Sequence, residues 1–124
     1  MARTGRFAFE RLEVYHAAHS LHALCVRIEK SLPQDRRPIG GEAEQYLSRA
    51  LLSIARSSVE VTRRRAVTET RVAHHAVEDA LRHLRVLARR QLGDAPAVTA
   101  ALELAERLLV LLTDRLRTLR RPHP

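Results

Sequence analysis

The sequence predicts an all-α protein: an antiparallel, up-down-up-down four-helix bundle that occupies residues 1–124 as a single domain. Three observations predict it. Apolar residues recur at alternating spacings of four and three, the period of an amphipathic helix. Only four glycines and five prolines interrupt the 124 residues, too few for a turn-rich β-sandwich. The apolar share of 45% is enough to bury a core. We expect the ends, about residues 1–7 and 120–124, to be disordered or extended.

The first helix is predicted to end at Pro33, which cannot continue a helix. Its apolar stripe consists of Val14, Ala18, Leu21, Cys25, Ile28 and Leu32. Residues 34–41 contain Pro38 and the pair Gly40-Gly41, which is typical of a loop. We expect the second helix to begin near Glu42, whose carboxylate suits the positive end of the helix dipole. Its stripe is Ala43, Leu47, Ala50, Ile54, Ser57/Ser58 and Val61.

The boundary between the second and third helices contains neither Gly nor Pro. A single helix across it would exceed about 45 residues, far more than the usual three or four turns. We therefore expect a tight turn there, with Thr68 as N-cap and Glu69 in the first turn of the third helix. The third stripe is Ala73, Val77, Ala80/Leu81, Leu84, Leu87/Ala88 and Leu92.

The third helix is expected to end with Gly93 at the C′ position, where a left-handed conformation favours glycine. Asp94-Ala95-Pro96 then has the pattern of an N-cap followed by Pro just inside the next helix. The fourth stripe is Ala101, Ala105, Leu109, Leu112, Leu116 and Leu119.

Two further rows of apolar residues exceed what one stripe per helix requires. The fourth helix carries Leu104, Leu108 and Leu111, and the second carries Leu51, Ala55 and Val59. The rows could widen the core-facing stripe, or they could form a subunit interface, since solvent-facing leucine rows are costly in a monomer. We expect a homo-oligomer whose interface includes Leu51, Val59, Leu104, Leu108 and Leu111.

The chain is strongly basic, since it contains 21 arginines and one lysine but only 14 acidic residues, which gives a net charge of +8. The excess of arginine over lysine is unusual. In the predicted topology the N-terminus, the turn between helices two and three and the C-terminus share one end. That end gathers eleven arginines and five acids, a net charge of +6. Arg115 is one of the eleven, and the acids are Glu10, Glu13, Glu60, Glu69 and Asp114. The candidate nucleic-acid-binding residues are Arg3, Arg6, Arg11, Arg63, Arg64, Arg65, Arg71, Arg117, Arg120 and Arg121.

A one-ended arginine cluster favours a polyanion, because the planar guanidinium can bind a phosphate through two hydrogen bonds. The chain has no Trp, and its aromatic residues are Phe7, Phe9, Tyr15 and Tyr46. Few aromatics leave no platform for stacking bases, so contact with RNA or DNA should be directed at the backbone and depend steeply on salt. The alternative is that the arginines only solvate helix faces.

Seven histidines raise two enzymatic alternatives. Glu13 and His16 have the Glu-x-x-His spacing of di-metal bundles, with His19 one turn further, while His74/Glu78 and His75/Asp79 are i,i+4 pairs. A second Glu-x-x-His is missing, so we expect no metal. Arg11 and His16 match the Arg-x4–6-His spacing of RNase bundles, in which His performs acid–base chemistry. With no Gly-rich phosphate loop and no nucleophile elbow, the sequence predicts a non-enzymatic protein without cofactor.

The single cysteine, Cys25, excludes a disulfide framework and a Cys-rich zinc module, and it falls in the core stripe. No apolar run approaches the ~20 residues of a membrane span. Residues 1–6 are not followed by the apolar region of a signal peptide. The sequence therefore predicts a cytoplasmic protein without a membrane partner.

Several segments resemble one known family. They are residues 6–18, Arg-Phe-Ala-Phe-Glu-Arg-Leu-Glu-Val-Tyr-His-Ala-Ala, the helix stop at Leu32-Pro33, residues 49–54, Arg-Ala-Leu-Leu-Ser-Ile, and Glu60. These segments look like the small four-helix-bundle proteins encoded in intervening sequences of large-subunit ribosomal RNA. Accessory proteins of diversity-generating retroelements share this pattern. The resemblance extends over about residues 6–120. Val61, Ser57 and residues 75–78 depart from the family pattern, which makes this chain a divergent member.

The resemblance implies a four-helix bundle that assembles as a ring-shaped homopentamer with a basic surface, and it implies no enzymatic activity. In the retroelement branch it also implies nucleic-acid binding. The expected partners are thus other copies of the chain, the backbone of RNA or DNA, and a protein that the sequence does not identify.

Overall fold

The computed structural model describes the backbone of residues 2–59 and 62–121, and the side chains of these residues apart from 2–12, 39–40 and 58–59. Over these residues the chain forms α1 (Ala2–Ser31), α2 (Arg37–Val59), α3 (Arg63–Arg89) and α4 (Ala95–Arg120). A short 3-10 turn, Gln34–Arg36, lies between α1 and α2. No strand occurs in this part of the chain. The predicted all-α, four-helix fold is confirmed.

Each helix packs against its neighbours in sequence, and α4 closes against α1. Contacts between the helices join distant parts of the sequence. The Nε2 atom of His83 lies 2.6 Å from the Oε2 atom of Glu42, between the late part of α3 and the early part of α2. Arg63 at the start of α3 donates to the carbonyl oxygen of Arg121, directly after α4, at 2.9 Å. These pairings are compatible with the predicted antiparallel order.

The core is aliphatic and follows the predicted stripes closely. All six residues of the first stripe are buried, and Cys25 is only 1% exposed. Small residues alternate with large ones, so that the backbones approach closely while leucines fill the space between them. The largest fully buried side chains are Leu21, Ile28, Leu47, Leu84, Leu87, Leu108, Leu112, Val77, Thr70 and Cys25.

The start of α2 corrects the prediction that this helix begins near Glu42. The helix starts at Arg37, and Pro38 lies in its first turn. The first backbone N–H groups of a helix have no partner within it, so a proline there loses no hydrogen bond. The segment predicted as a loop is therefore a 3-10 turn followed by helix.

The break between α2 and α3 exists, but its predicted position is wrong. Thr62 is the N-cap, and its Oγ1 atom accepts a hydrogen bond from the backbone N–H of Arg65 at 3.4 Å. Thr68, the predicted cap, lies inside α3 and donates to the carbonyl oxygen of Arg64 at 3.1 Å. Glu69 consequently lies outside the first turn of the helix.

The end of α3 also differs from the prediction that Gly93 is the C′ residue. The cap is Arg90, and Gln91 follows it with a φ of 55°. Backbone hydrogen bonds from Leu92 to Leu87 and from Gln91 to Ala88 complete a Schellman motif. Gln91 therefore occupies the left-handed position that glycine usually fills. Gly93, with a φ of 83°, makes the next bend.

The start of α4 confirms Asp94 as N-cap with a proline in the first turn. The backbone N–H of Asp94 donates to Ser31 Oγ at 2.8 Å, and its carboxylate lies 3.2 Å from Nε of Arg27. Both contacts attach the turn before α4 to the end of α1. At the N-terminus, α1 begins at Ala2, so the end expected to be extended over residues 1–7 is helical where it is described.

Candidate nucleic-acid interface

The Arg-rich end is formed by the first turn of α3 and the last turns of α4. The hydrogen bond from Arg63 to Arg121 brings the two arginine runs together. Six of the candidate residues are exposed: Arg64 and Arg65 in the first turn of α3, Arg71 about two turns further along α3, and Arg117, Arg120 and Arg121 at the end of α4. Arg3, Arg6 and Arg11 lie outside the described side chains. The structure thus places seven of the ten predicted residues, including the half-buried Arg63.

The two helix ends differ electrostatically. α4 ends with Arg117 and Arg120 in its last turn, where cations suit the negative end of the helix dipole. α3 instead begins with Arg63, Arg64 and Arg65, and its first turn contains no acidic residue. Cations at the positive end of a helix are unfavourable. This turn therefore combines the positive end of the helix dipole with three guanidinium groups, both of which attract an anion.

Two arginines of this end, Arg63 and Arg115, form hydrogen bonds that connect different segments of the bundle. Arg63 is bound to the Arg121 carbonyl, and Arg115 donates from its NH2 group to the carbonyl oxygen of Ser57 at 3.4 Å, which links α4 to α2. Arg115 also lines a cavity of about 190 Å³ with Glu13, Asp114 and Thr118. Arg117 lies 3.5 Å from the Asp114 carboxylate. The charge available to a ligand is therefore smaller than the sequence count.

The predicted oligomer interface divides into surface and core residues. Leu51, Leu104 and Leu111 are half-buried and pack against the core. Leu108 is 0% exposed in the single chain, so it is a core residue and cannot form the predicted surface row. Leu109, Leu116 and Leu119, predicted in the core stripe of α4, are instead half-buried. Val59 lies outside the described side chains.

Three exposed large apolar residues were not predicted, among them Val72 on α3, which is 39% exposed. Leu52 on α2 is 51% exposed, and Val110 on α4 is 55% exposed. The signal was present in the sequence, because Leu52 and Val110 lie opposite their helix's core stripe. They add apolar surface beside the half-buried leucines.

The candidate metal ligands do not gather into a site. Among the described side chains, no three His, Cys, Asp or Glu residues are arranged to hold a metal ion. The carboxylate of Glu13 instead accepts a hydrogen bond from Arg107 at 3.1 Å, and His16 is exposed. Arg11, the partner of His16 in the RNase spacing, lies outside the described side chains.

The histidine pairs of α3 are only partly as predicted. His74 Nδ1 lies 3.2 Å from Glu78 Oε1, and its Nε2 lies 3.3 Å from Thr113 Oγ1 on α4. His75 does not pair with Asp79, because its Nδ1 lies 3.3 Å from the same Glu78 oxygen. Asp79 instead binds Arg82. Most of these contacts join successive turns of α3, and the contact between His74 and Thr113 connects α3 to α4.

Titratable groups from α1 and α2 meet at the seam between these helices. His22 Nε2 lies 3.1 Å from Ser48 Oγ and 3.7 Å from Glu44 Oε1. Burial, and to a lesser degree His19, lowers the pKa of His22. A hydrogen bond with Glu44, followed by burial, raises the pKa of Glu29. Burial also raises the pKa of the Cys25 thiol to about 12, so this thiol is not a nucleophile at neutral pH.

Glu29→Gln is expected to stabilise the bundle at pH 7 relative to the native chain. Because the pKa of Glu29 is raised in the fold, the stability that its protonation contributes is present below the usual glutamate pKa and is lost as the pH rises through the raised pKa of the folded chain. Glutamine stays neutral, so this loss disappears. Urea unfolding at pH 4 and pH 7 measures the effect, with the exposed Glu103→Gln as control. An equal stabilisation at pH 4 and pH 7 would contradict a hydrogen bond between Glu29 and Glu44 that depends on protonation.

Comparisons of the chain with family models, with curated proteins and with solved structures gave no match. In the described part of the chain, no helix combines the length and the apolar character needed to cross a membrane.

Proposed function

We propose that this chain is a non-enzymatic, homo-oligomeric four-helix-bundle protein that contacts the phosphate backbone of nucleic acid through its Arg-rich end. The observation that carries the proposal is the first turn of α3, where Arg63, Arg64 and Arg65 follow one another without an acid. A phosphate at this turn would supply the negative charge that the helix lacks.

The aromatic residues support contact with the backbone over contact with bases. Tyr15 and Tyr46 are half-buried, and each ring packs against a histidine, His19 and His83 respectively. Recognition by guanidinium groups alone is weakly dependent on sequence and steeply dependent on salt.

Charge reversal of the exposed arginines tests the proposal. The triple variant Arg64→Glu, Arg65→Glu and Arg120→Glu should lower affinity for a random-sequence duplex by about 10²-fold or more at 0.1 M salt, since each lost phosphate contact lowers the salt slope by ~0.9. Two of the changes place glutamate at the start of a helix, where an acid is favourable, so lost binding will not reflect unfolding. Binding is measured by fluorescence anisotropy.

The matched control reverses three exposed arginines away from the Arg-rich end: Arg37→Glu, Arg49→Glu and Arg107→Glu. It changes the net charge by the same amount on other faces of the bundle. Equal losses of affinity in the two variants would contradict a site at the Arg-rich end and would indicate attraction by net charge alone.

The oligomeric part of the proposal rests on apolar surface and on the family resemblance. Leu52 and Val110 are more than half exposed, and Leu104 and Leu111 lie half-buried on α4. A homopentamer of the 14.1 kDa chain has a mass of about 70 kDa. Light scattering at micromolar concentration is expected to give this value, and a mass of one chain would contradict assembly.

A second candidate is a protein-interaction module without nucleic-acid binding, which the exposed Leu52 and Val110 favour. It predicts no retardation of any nucleic acid at physiological salt. The two candidates therefore separate in the same binding titration.

A further inference from the structure

Half of the net charge of the protein resides on a single helix. α3 contains seven arginines and three acids, a net charge of +4 out of +8. The sequence prediction placed the excess at one end of the bundle. The helix bounds show that much of it instead extends along α3.

The arginines of α3 are aligned as well as numerous. Arg64, Arg71, Arg82 and Arg89 are separated by seven, eleven and seven residues. At 3.6 residues per turn these four positions fall within about 20° of one another around the helix axis. All four side chains are exposed, and the exposed His75 occupies the same line. We call Arg64, Arg71, His75, Arg82 and Arg89 the α3 ridge.

Few acids neutralise the α3 ridge. Arg82 pairs with Asp79, whereas Arg64, Arg71 and Arg89 form no ion pair with any side chain that the structure describes. Glu78 borders the ridge and is held by His74 and His75. The exposed face of α4 differs, because Glu103, Glu106 and Asp114 alternate there with Arg107 and Arg117.

We propose that the α3 ridge is a linear binding site for the backbone of a nucleic-acid duplex, with the axis of α3 lying along the axis of the duplex. This inference rests on the proposed function and extends it from a point contact at the Arg-rich end to the whole of α3. The 25 residues from Arg64 to Arg89 rise about 37 Å. With a rise of about 3.4 Å per base pair, a straight ridge of this length matches ~11 base pairs.

A duplex is the occupant that the described surface favours. Single strands are held mainly by bases stacked on aromatic side chains, and α3 contains no Phe, Tyr or Trp. A duplex presents closely spaced phosphates without requiring base contact. Exposed guanidinium groups at intervals of two or three helical turns match such a target.

The test uses hairpin stems of 6, 12 and 18 base pairs and the triple variant Arg71→Gln, Arg82→Gln and Arg89→Gln. The native chain should bind the 12-base-pair stem much more tightly than the 6-base-pair stem. The variant should lose about 10²-fold in affinity for the longer stems, with a salt slope lower by about 3, and should bind the 6-base-pair stem nearly as the native chain does.

The matched control is Arg37→Gln, Arg49→Gln and Arg107→Gln, which removes the same charge and likewise includes one ion-paired arginine. The control should keep the preference for long stems. If the native chain binds duplexes but the ridge variant loses no more affinity for the longer stems than the control does, the proposed site on the α3 ridge is wrong and the proposed site at the Arg-rich end is retained. If the native chain binds no nucleic acid at low salt, both proposals fail. Tighter binding to single strands of equal length would overturn the duplex as occupant.

Discussion

Leu108→Ala is expected to lower the free energy of unfolding by about 3–5 kcal/mol, the largest loss of stability that we predict for a single substitution in this bundle. Leu108 is fully buried in the core, so truncation removes apolar contacts and leaves a cavity that tightly packed helices refill only partly. Urea unfolding measures the loss. Because the site lies inside one chain, the loss should not depend on protein concentration.

Leu104→Ala is the matched control, one helical turn away on the same helix. Leu104 is half-buried, so its truncation should cost about 1 kcal/mol or less within the chain. The same change should lower the solution mass if Leu104 lies at a subunit interface. A Leu108→Ala chain that keeps its stability but dissociates would contradict the assignment of Leu108 to the core.

Gly93→Ala is expected to destabilise the bundle by about 2 kcal/mol, the second large effect. Gly93 has a φ of 83°, where a side chain is strained. An added Cβ would also lie 3.2 Å from Cγ2 of Ile28, in the last turns of α1. Both costs act at the turn that attaches α4 to α1.

Gln91→Gly, two residues earlier, should have the opposite sign. Gln91 also has a positive φ, 55°, but it is exposed, and glycine relieves the backbone strain at that position without leaving a cavity. We expect a stabilisation of about 0.5–1 kcal/mol. Thermal unfolding of both variants provides the comparison, and a destabilised Gln91→Gly would contradict the Schellman geometry.

The sequence was sufficient to predict the four helices and most of the core because the apolar stripes are long and regular. It failed where two residues satisfy the same local rule. After Ala105, both Leu108 and Leu109 fit the helical period, and both are leucine. Packing against the neighbouring helices selects Leu108 for the core, and one helix's pattern does not contain that information.

The same limit applies to the cap of α3. Thr62 and Thr68 are equally suitable N-caps by residue type. Thr62 is the cap, because the helix extends to Arg63 and Thr68 then bonds to a carbonyl within it. The next cap shows the opposite case: Asp94 followed by Pro96 is a combination that only one position offers, and the prediction is confirmed.

Part of the candidate site was also accessible from the sequence. The arginine runs at 63–65 and 120–121 are visible there, and the contact between Arg63 and Arg121 joins them. The hydrogen bonds of Arg63 and Arg115 to backbone carbonyl oxygens could not be predicted, because they depend on how far neighbouring helices are shifted along one another. The α3 ridge can be predicted from the sequence once α3 is known to start at Arg63. The wrong N-cap at Thr68 places Arg64 outside the helix, so the alignment of its arginines was missed.

The most direct test of the central claim is the salt dependence of binding by the native chain to a random-sequence duplex between 50 and 200 mM salt. Contact with three or more phosphates predicts that log K falls linearly with log salt with a slope of about −3 or steeper. No binding at 50 mM salt, or an affinity that stays constant across the range, would contradict recognition of the phosphate backbone.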